Sequence, residues 1–489
     1  MKQSAIAIIL TAILSSAVYA QPSVREPGVS SYFESIRSNE AELRAFFHRM
    51  PKGGDLHHHF SGAIYAETFF DTAAHKHYSL DTSALVIYPP GMQPSGVRSV
   101  VSFDSMSVGK RSYFKDRLIR LWSVKDFTPC SGAPDAHFFA TFNLFGPAIW
   151  GSEAPMLQEI KRRAIAEHTS YIESMLIRPS MPSGNAQLKT FFSRCNEKLW
   201  RIEAARDTGA ALDVLSMIFD SLRYEFGADK LAANHHAMLV GVRDASALPD
   251  GLDSLVTVRF LNYVTRVSPP ADVFGQLYLS FASCDMDSLV MGVNIVAPEN
   301  ADVSMNDYWL HMVMFHFMRT RFPKVHVSMH AGELVPGMVK PEDLTWHISS
   351  AVDLAGAERI GHGVDIASET KNYELLDEMA KRHVTVEINL TSNEFILGVK
   401  NSTHPVTLYA DHHVPIVIST DDPGVLRSDH TMEFVKLAMR YPRFSYADIK
   451  QFVYNSIDYS FLTPRDKATE RGRLDRAFRE FESTITHLH

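Results

Sequence analysis

Short runs of apolar and β-branched residues recur along the chain, and longer stretches with apolar positions at helical spacing separate them. Eight such runs lie near residues 54–59, 169–176, 256–264, 289–296, 324–330, 358–362, 383–389 and 414–420. Helical patterns fall between them, for example Tyr308 to Arg321 and Lys371 to Arg382. Eight strands alternating with helices predict an α/β chain folded as a (β/α)8 TIM barrel rather than an open sheet. The long interval 75–165 predicts extra helices or a lid inserted after the first strand. Its Pro89-Pro90-Gly91 to Gly96 segment reads as an exposed loop.

Residues 21–50 are polar with a helical pattern, apolar at Phe33, Ile36, Leu43, Phe46 and Phe47, and predict a lead-in helix with Ser30 as its cap. Residues 51–489 then form one domain. Residues 1–20 have a different pattern. Lys2, the apolar run Ala5 to Val18, and the small-residue ending Val18-Tyr19-Ala20 predict a secretory signal peptide cut after Ala20. The run is too short to span a bilayer, and the polar Gln21-Pro22-Ser23 that follows argues against a buried helix. The expected location is therefore periplasmic or secreted, with no membrane span after cleavage.

Composition narrows the function. A hydrophobic share of 45% and a charged share of 21% describe a globular chain with a sizeable core. A net charge of −8 without basic runs argues against a nucleic-acid partner. The three cysteines, Cys130, Cys195 and Cys284, fit no cysteine zinc site. Export allows one disulfide, with Cys130–Cys195 the first pair to test; three buried thiols are an equal reading. Oligomeric state is not fixed by the pattern, and a homodimer is left open.

Polar residues cluster at the C-terminal ends of the predicted strands, the active-site face of this fold. The first strand reads Gly54-Asp55-Leu56-His57-His58-His59. Alternation puts His57 and His59 on one face and His58 on the other, so the outer pair can grip one metal ion. The fifth strand runs into His330-Ala331-Gly332-Glu333, a third imidazole followed by a carboxyl group suited to acid–base work. The sixth ends Gly361-His362-Gly363, where glycines give room for a ligand to approach closely. The eighth ends Ser419-Thr420-Asp421-Asp422-Pro423. Two adjacent carboxylates at an apolar strand mouth call for a compensating cation. Neighbouring side chains diverge, so Asp421 can face a metal while Asp422 faces a substrate.

These motifs, with Met50-Pro51-Lys52-Gly53 ahead of the histidines, resemble the adenosine deaminase family of metal-dependent amidohydrolases. The Met-Pro-Lys-Gly opening and the signal segment are similar to the secreted adenosine deaminase-related growth factor branch. The resemblance implies one Zn2+ per chain, held by His57, His59, His330 and Asp421. It implies that Glu333 passes a proton to purine N1, that His362 orients the attacking water and helps deprotonate it, and that Asp422 bonds N7. Cytidine-type deaminases instead use His-x-Glu with Pro-Cys-x-x-Cys, which the chain lacks. No lysine stands in 289–299, where many binuclear relatives carry a bridging one, so one metal is expected.

Two positions depart from the family. Ser61 stands where intracellular members carry an acidic residue that binds the ribose, and it is a weaker, neutral partner. In Gly292-Val293-Asn294-Ile295-Val296-Ala297-Pro298-Glu299, Ala297 replaces a glycine whose N–H contacts the purine. Phe138, Phe139 and Phe142 resemble the apolar gate over the substrate, though a stripe at helical spacing is more often plain core. The expected reaction is hydrolytic deamination of adenosine or 2′-deoxyadenosine, a small-molecule nucleoside, to the inosine product and ammonia. Adenine or another N6-substituted purine, or a secreted non-catalytic signalling relative, are the alternatives.

Overall fold

The computed structural model describes residues 23–488, so the expected signal segment lies outside the described residues. Eight parallel strands form the central sheet: β1 (Gly53–His59), β2 (Thr169–Met175), β3 (Thr257–Thr265), β4 (Val290–Val296), β5 (His326–Ala331), β6 (Arg359–His362), β7 (Thr385–Ile388) and β8 (Ile416–Ile418). They pair in sequence order, and every pairing is parallel. Strands of this kind are covered on both faces, which is why they read as near-continuous apolar runs. Each of the eight lies within three residues of its expected bounds.

The ring closes where β8 meets β1. His58 and Asp421 form a parallel bridge. The Asp421 N–H donates to the His57 carbonyl at 2.9 Å, and the His59 N–H donates to the Asp421 carbonyl at 3.0 Å. The barrel seam therefore runs through three residues singled out above for their chemistry.

Three expectations need correction. The lead-in is two helices, Glu26–Ile36 and Glu40–Arg49, not one. Pro27 starts the first of them upstream, which leaves Ser30 inside the helix rather than at its cap. Asn39 caps the second, its side chain accepting the N–H groups of Ala41 and Glu42. Secondly, the insertion after β1 holds a three-stranded antiparallel sheet (Ser79–Asp81, Val86–Tyr88, Val100–Ser102) as well as helices. Thirdly, extra helices also follow β2: Ala186–Ala205, Thr208–Tyr224 and Ala228–Ala245 lie between β2 and β3. The 89–96 loop is exposed apart from half-buried Pro89.

The lead-in helices pack on the C-terminal helices through aromatic rings. Phe46 meets Tyr446 and Phe481 edge-on, and Phe47 meets Phe434. Lys52 fastens this end of the barrel. Its buried ammonium donates to the carbonyls of Phe47 (2.5 Å), Met50 (3.2 Å) and Glu167 (2.6 Å), which gives all three of its donors a partner. Among the described residues no helix is long and apolar enough to cross a membrane.

Candidate functional site

β1 presents His57 and His59 to the barrel interior, and His58 turns away to hydrogen-bond Ser174 Oγ at 3.0 Å. β5 delivers His330, and Asp421 stands at the third position beyond the end of β8. Nitrogen Nε2 of His330 lies 3.0 Å from that of His57 and 3.1 Å from that of His59. Asp421 Oδ1 lies 3.5 Å from His57 Nε2 and 3.3 Å from His59 Nε2. A tetrahedral ion with bonds of about 2.0–2.1 Å keeps its ligand atoms about 3.3 Å apart. These four residues fit a divalent metal ion.

The far sides of the rings are tied down, which turns Nε2 inward. His57 Nδ1 donates to Glu387 Oε2 at 2.7 Å, and His330 Nδ1 donates to Asn294 Oδ1 at 2.9 Å. Outer partners of this kind fix tautomer and ring orientation. Burial, followed by the charge of His57, holds His330 well below the ordinary imidazole range, and burial lowers His59 to about 4. Burial thus favours the neutral form of both rings, the form that binds a metal.

Glu387 is wholly buried, and such a carboxylate needs compensation. Its other oxygen accepts Arg359 Nε at 2.6 Å and Ser328 Oγ at 3.0 Å. Arg359 Nη2 donates to Glu173 at 2.5 Å, and its guanidinium lies 3.7 Å from the Phe461 ring centroid. Glu173 in turn accepts Tyr171 Oη and the Phe461 N–H. An ion chain thus fills the barrel beneath the histidines.

A second group shares Asp421 with Glu333 and His362. His362 Nε2 lies 3.7 Å from Glu333 Oε1 and 4.0 Å from Asp421 Oδ2. Burial, together with the Asp421 and Glu299 carboxylates, pushes the Glu333 carboxyl well above its usual range, which favours the protonated form. Glu299 anchors this loop by accepting the N–H groups of Gly332 (3.2 Å) and Glu333 (3.0 Å). His347 Nδ1 donates to Glu299 at 2.7 Å, and Arg266 Nη1 stands 3.7 Å away.

Asp421 and Asp422 diverge as expected, and only Asp421 joins the metal cluster. Asp422 is buried, with Oδ1 unpartnered by protein among the described residues. Its carboxylate packs onto Gly62, where an added Cβ would lie 1.6 Å from Oδ1. Three non-glycine residues around the site hold left-handed backbone: Ala297 (φ 82°), His362 (φ 69°) and Asp421 (φ 63°). Strain of about 1–3 kcal/mol per residue is tolerated where the surrounding fold over-determines the position. Ala297 thus bears the steric cost expected from replacing a glycine.

The reading of Gly361 and Gly363 as room for a ligand does not hold. A Cβ on Gly361 would lie 2.5 Å from His57 Cε1, and one on Gly363 would lie 2.4 Å from Tyr409 Oη. Protein side chains use that space.

Ser61 is half-buried on the short helix Phe60–Ala63 that follows β1. The helix Pro134–Ile149 packs on it and on Leu390–Leu397. Both of those short helices leave the mouth-side ends of barrel strands. Phe138 is buried and Phe142 half-buried, their ring centroids 5.5 Å apart. Asn300, on the loop after β4, donates to Asp135 at the start of this helix, so the helix spans the mouth. The cysteines are free, with Cys130 exposed and the other two buried.

Sequence reasoning did not single out Glu387, Arg359, Asn294, Asn393 or His404. Polar residues at the centres of apolar runs, as at Val386-Glu387-Ile388, were the available signal.

Residues 237–476 match the family model described as Adenosine deaminase. An adenosine deaminase of Escherichia coli (strain SMS-3-5 / SECEC) is 32% identical over 164 residues, 33% of this chain and 46% of the relative. The chain therefore matches less than half the length of that relative. A zinc-bound amidohydrolase from Burkhoderia ambifaria superposes with a TM-score of 0.53 at 19% identity, covering 91% of this chain and 94% of that one. An adenine deaminase from Arthrobacter aurescens gives 0.54 at 17% identity, covering 88% and 99%. The two structures agree in fold, and the sequence matches agree in family. Residues 237–476 thus match the adenosine deaminase family by sequence, and the barrel as a whole shares the fold of the amidohydrolase and adenine deaminase structures.

Proposed function

We propose that the chain hydrolytically deaminates adenosine or 2′-deoxyadenosine to the inosine product and ammonia, outside the cytoplasm, with zinc in the His57, His59, His330 and Asp421 site. The observation that carries this reading is the buried Glu333 carboxyl, 3.7 Å from His362, beside a complete four-ligand cluster. Zinc, when bound, supplies a water made acidic enough, with a pKa near about 7, to act as a nucleophile at neutral pH.

The chain's own residues do the rest. Glu333 holds the proton that N1 receives as the oxygen adds to C6, so the ring accepts the attack without building up charge. His362 orients the attacking water. Burial and the Asp421 carboxylate raise the Asp422 carboxyl above its usual range, so it can donate an O–H to N7, and the Ala297 N–H faces the purine edge. Phe138 and Phe142 shield the mouth from bulk water. A C–O bond forms at C6 and the C6–N6 bond breaks; of the water's two hydrogens, one completes the departing ammonia and the other restores the Glu333 carboxyl.

Ser61 keeps a second reading open. A neutral hydroxyl at the sugar end binds ribose more weakly than a carboxylate, which leaves adenine or an N6-substituted purine as the alternative substrate. A panel of adenosine, 2′-deoxyadenosine, adenine and N6-methyladenosine, assayed for ammonia with zinc-loaded protein, decides between them. The highest kcat/KM is expected for the nucleosides. A preference for adenine overturns the substrate class, and turnover of none leaves only a non-catalytic relative. Export rests on the Lys2 to Ala20 pattern. N-terminal sequencing of protein from the cell exterior or periplasm is expected to begin at Gln21, and retention of Met1 would refute it.

A further inference from the structure

His362 reaches the reaction centre with Nε2, but what it can do there depends on which ring nitrogen carries the hydrogen. A chain of hydrogen bonds behind the ring fixes this, starting from a donor that has no choice. The backbone N–H of Val406 donates to His404 Nδ1 at 3.1 Å. A backbone amide cannot reverse its role, so His404 Nδ1 is bare and a neutral His404 carries its hydrogen on Nε2. Burial, followed by the charge of Arg440, lowers His404 to about 3, so the ring is neutral. His404 Nε2 therefore donates to the Asn393 side-chain oxygen, 3.0 Å away. That orients the amide and turns Nδ2 towards His362, where it donates to Nδ1 at 2.9 Å. Asn389 Nδ2 faces the same nitrogen at 3.5 Å. Asn393, His404 and His362 are all buried, so water does not compete for these positions.

We propose that His404 and Asn393 are positioning residues that lock His362 in the Nε2–H tautomer, so that it meets the reacting oxygen as a hydrogen-bond donor and not as a proton acceptor. This rests on the deaminase reading for its consequence, though the proton's position can be measured without any substrate. Nε2 has no protein partner in hydrogen-bond range among the described residues; the carboxylate oxygens of Glu333 and Asp421 stand 3.7 and 4.0 Å away. A donor aimed at an oxygen that gathers negative charge stabilises the transition state more than the ground state. The proton-accepting part of the role implied by the resemblance falls away.

Neutron diffraction from D2O-exchanged crystals of the zinc-loaded chain reads the tautomer directly. Deuterium is expected on Nε2 of His362 and absent from Nδ1; deuterium on Nδ1 overturns the proposal. Asn393→Asp is nearly isosteric and puts an acceptor where the donor was. It is expected to move deuterium onto Nδ1 and to lower kcat about 10²–10³-fold, with KM within about threefold and zinc content unchanged. His404→Gln, which keeps an N–H facing Asn393, is expected to retain kcat within about tenfold, whereas His404→Leu falls below it. Unchanged kcat in Asn393→Asp with deuterium moved would refute the donor role. Absence of turnover in the wild type would count against the deaminase reading and leave the wild-type neutron result standing.

Discussion

Glu333→Gln is expected to lower kcat for purine deamination by about 10²–10⁴-fold, the range typical for loss of a positioned proton donor. The substitution is close to isosteric, and the backbone there is held independently of the side chain. Glu299 accepts the N–H groups of Gly332 and Glu333 whichever group stands at the tip. The loop should keep its place, and with it the binding of substrate and metal. What disappears is an exchangeable acid proton on a carboxyl whose proton affinity is raised by burial and by the Asp421 and Glu299 carboxylates. Without it N1 stays unprotonated while the oxygen adds, and the ring must build up negative charge. Steady-state kinetics and metal analysis on the same preparation check this. A variant that retains more than a tenth of wild-type kcat would remove Glu333 from the reaction.

Gly361→Ala is expected to empty the metal site. The added methyl would sit 2.5 Å from Cε1 and 2.7 Å from Nδ1 of His57, well inside van der Waals contact. The ring has nowhere to withdraw, because Glu387 holds Nδ1 from behind at 2.7 Å. Either the strand shifts or His57 leaves its inward pose; both separate a ligand atom from the other three. Overpacking of this kind costs about 1–3 kcal/mol of stability, and disturbing the support of a ligand costs about 10–100-fold in metal affinity. Metal per chain after gel filtration in metal-free buffer should fall below half the wild-type value. Gly109→Ala serves as the control, since nothing lies within 4 Å of its added Cβ. Equal metal content in Gly361→Ala and wild type would refute the account.

The barrel was legible because each strand is a dense apolar run bounded by polar residues, and the strand-end residues stood out against that background. Helices such as Asn372–Arg382 were legible from their spacing. Asp421 and Asp422 were separable because adjacent side chains diverge. The small sheet at 79–102 was not legible: three-residue strands are too short for a period of two to show. Glu387 was hidden for another reason. Its partners are a histidine 330 residues away and an arginine 28 residues away, and no local pattern announces either. Gly361 and Gly363 drew attention correctly as places of close approach, but sequence could not say that His57 and Tyr409 are what approach.

The seam between β1 and β8 ties the site to the order in which the molecule is completed. Leu56 and Ser419 touch there across 363 residues of chain, and Asp421 pairs with His57 and His59 in the same closure. Joining such distant segments is slow, since loop entropy is lost before any contact repays it. Unless the two are paired, β1 and β8 each carry a bare edge ready to pair with another molecule. Asp421 follows the last barrel strand in the chain, so an ion bound by all four residues would hold the ring shut. A complete set of four ligand residues in this chain is therefore a mark of the closed barrel.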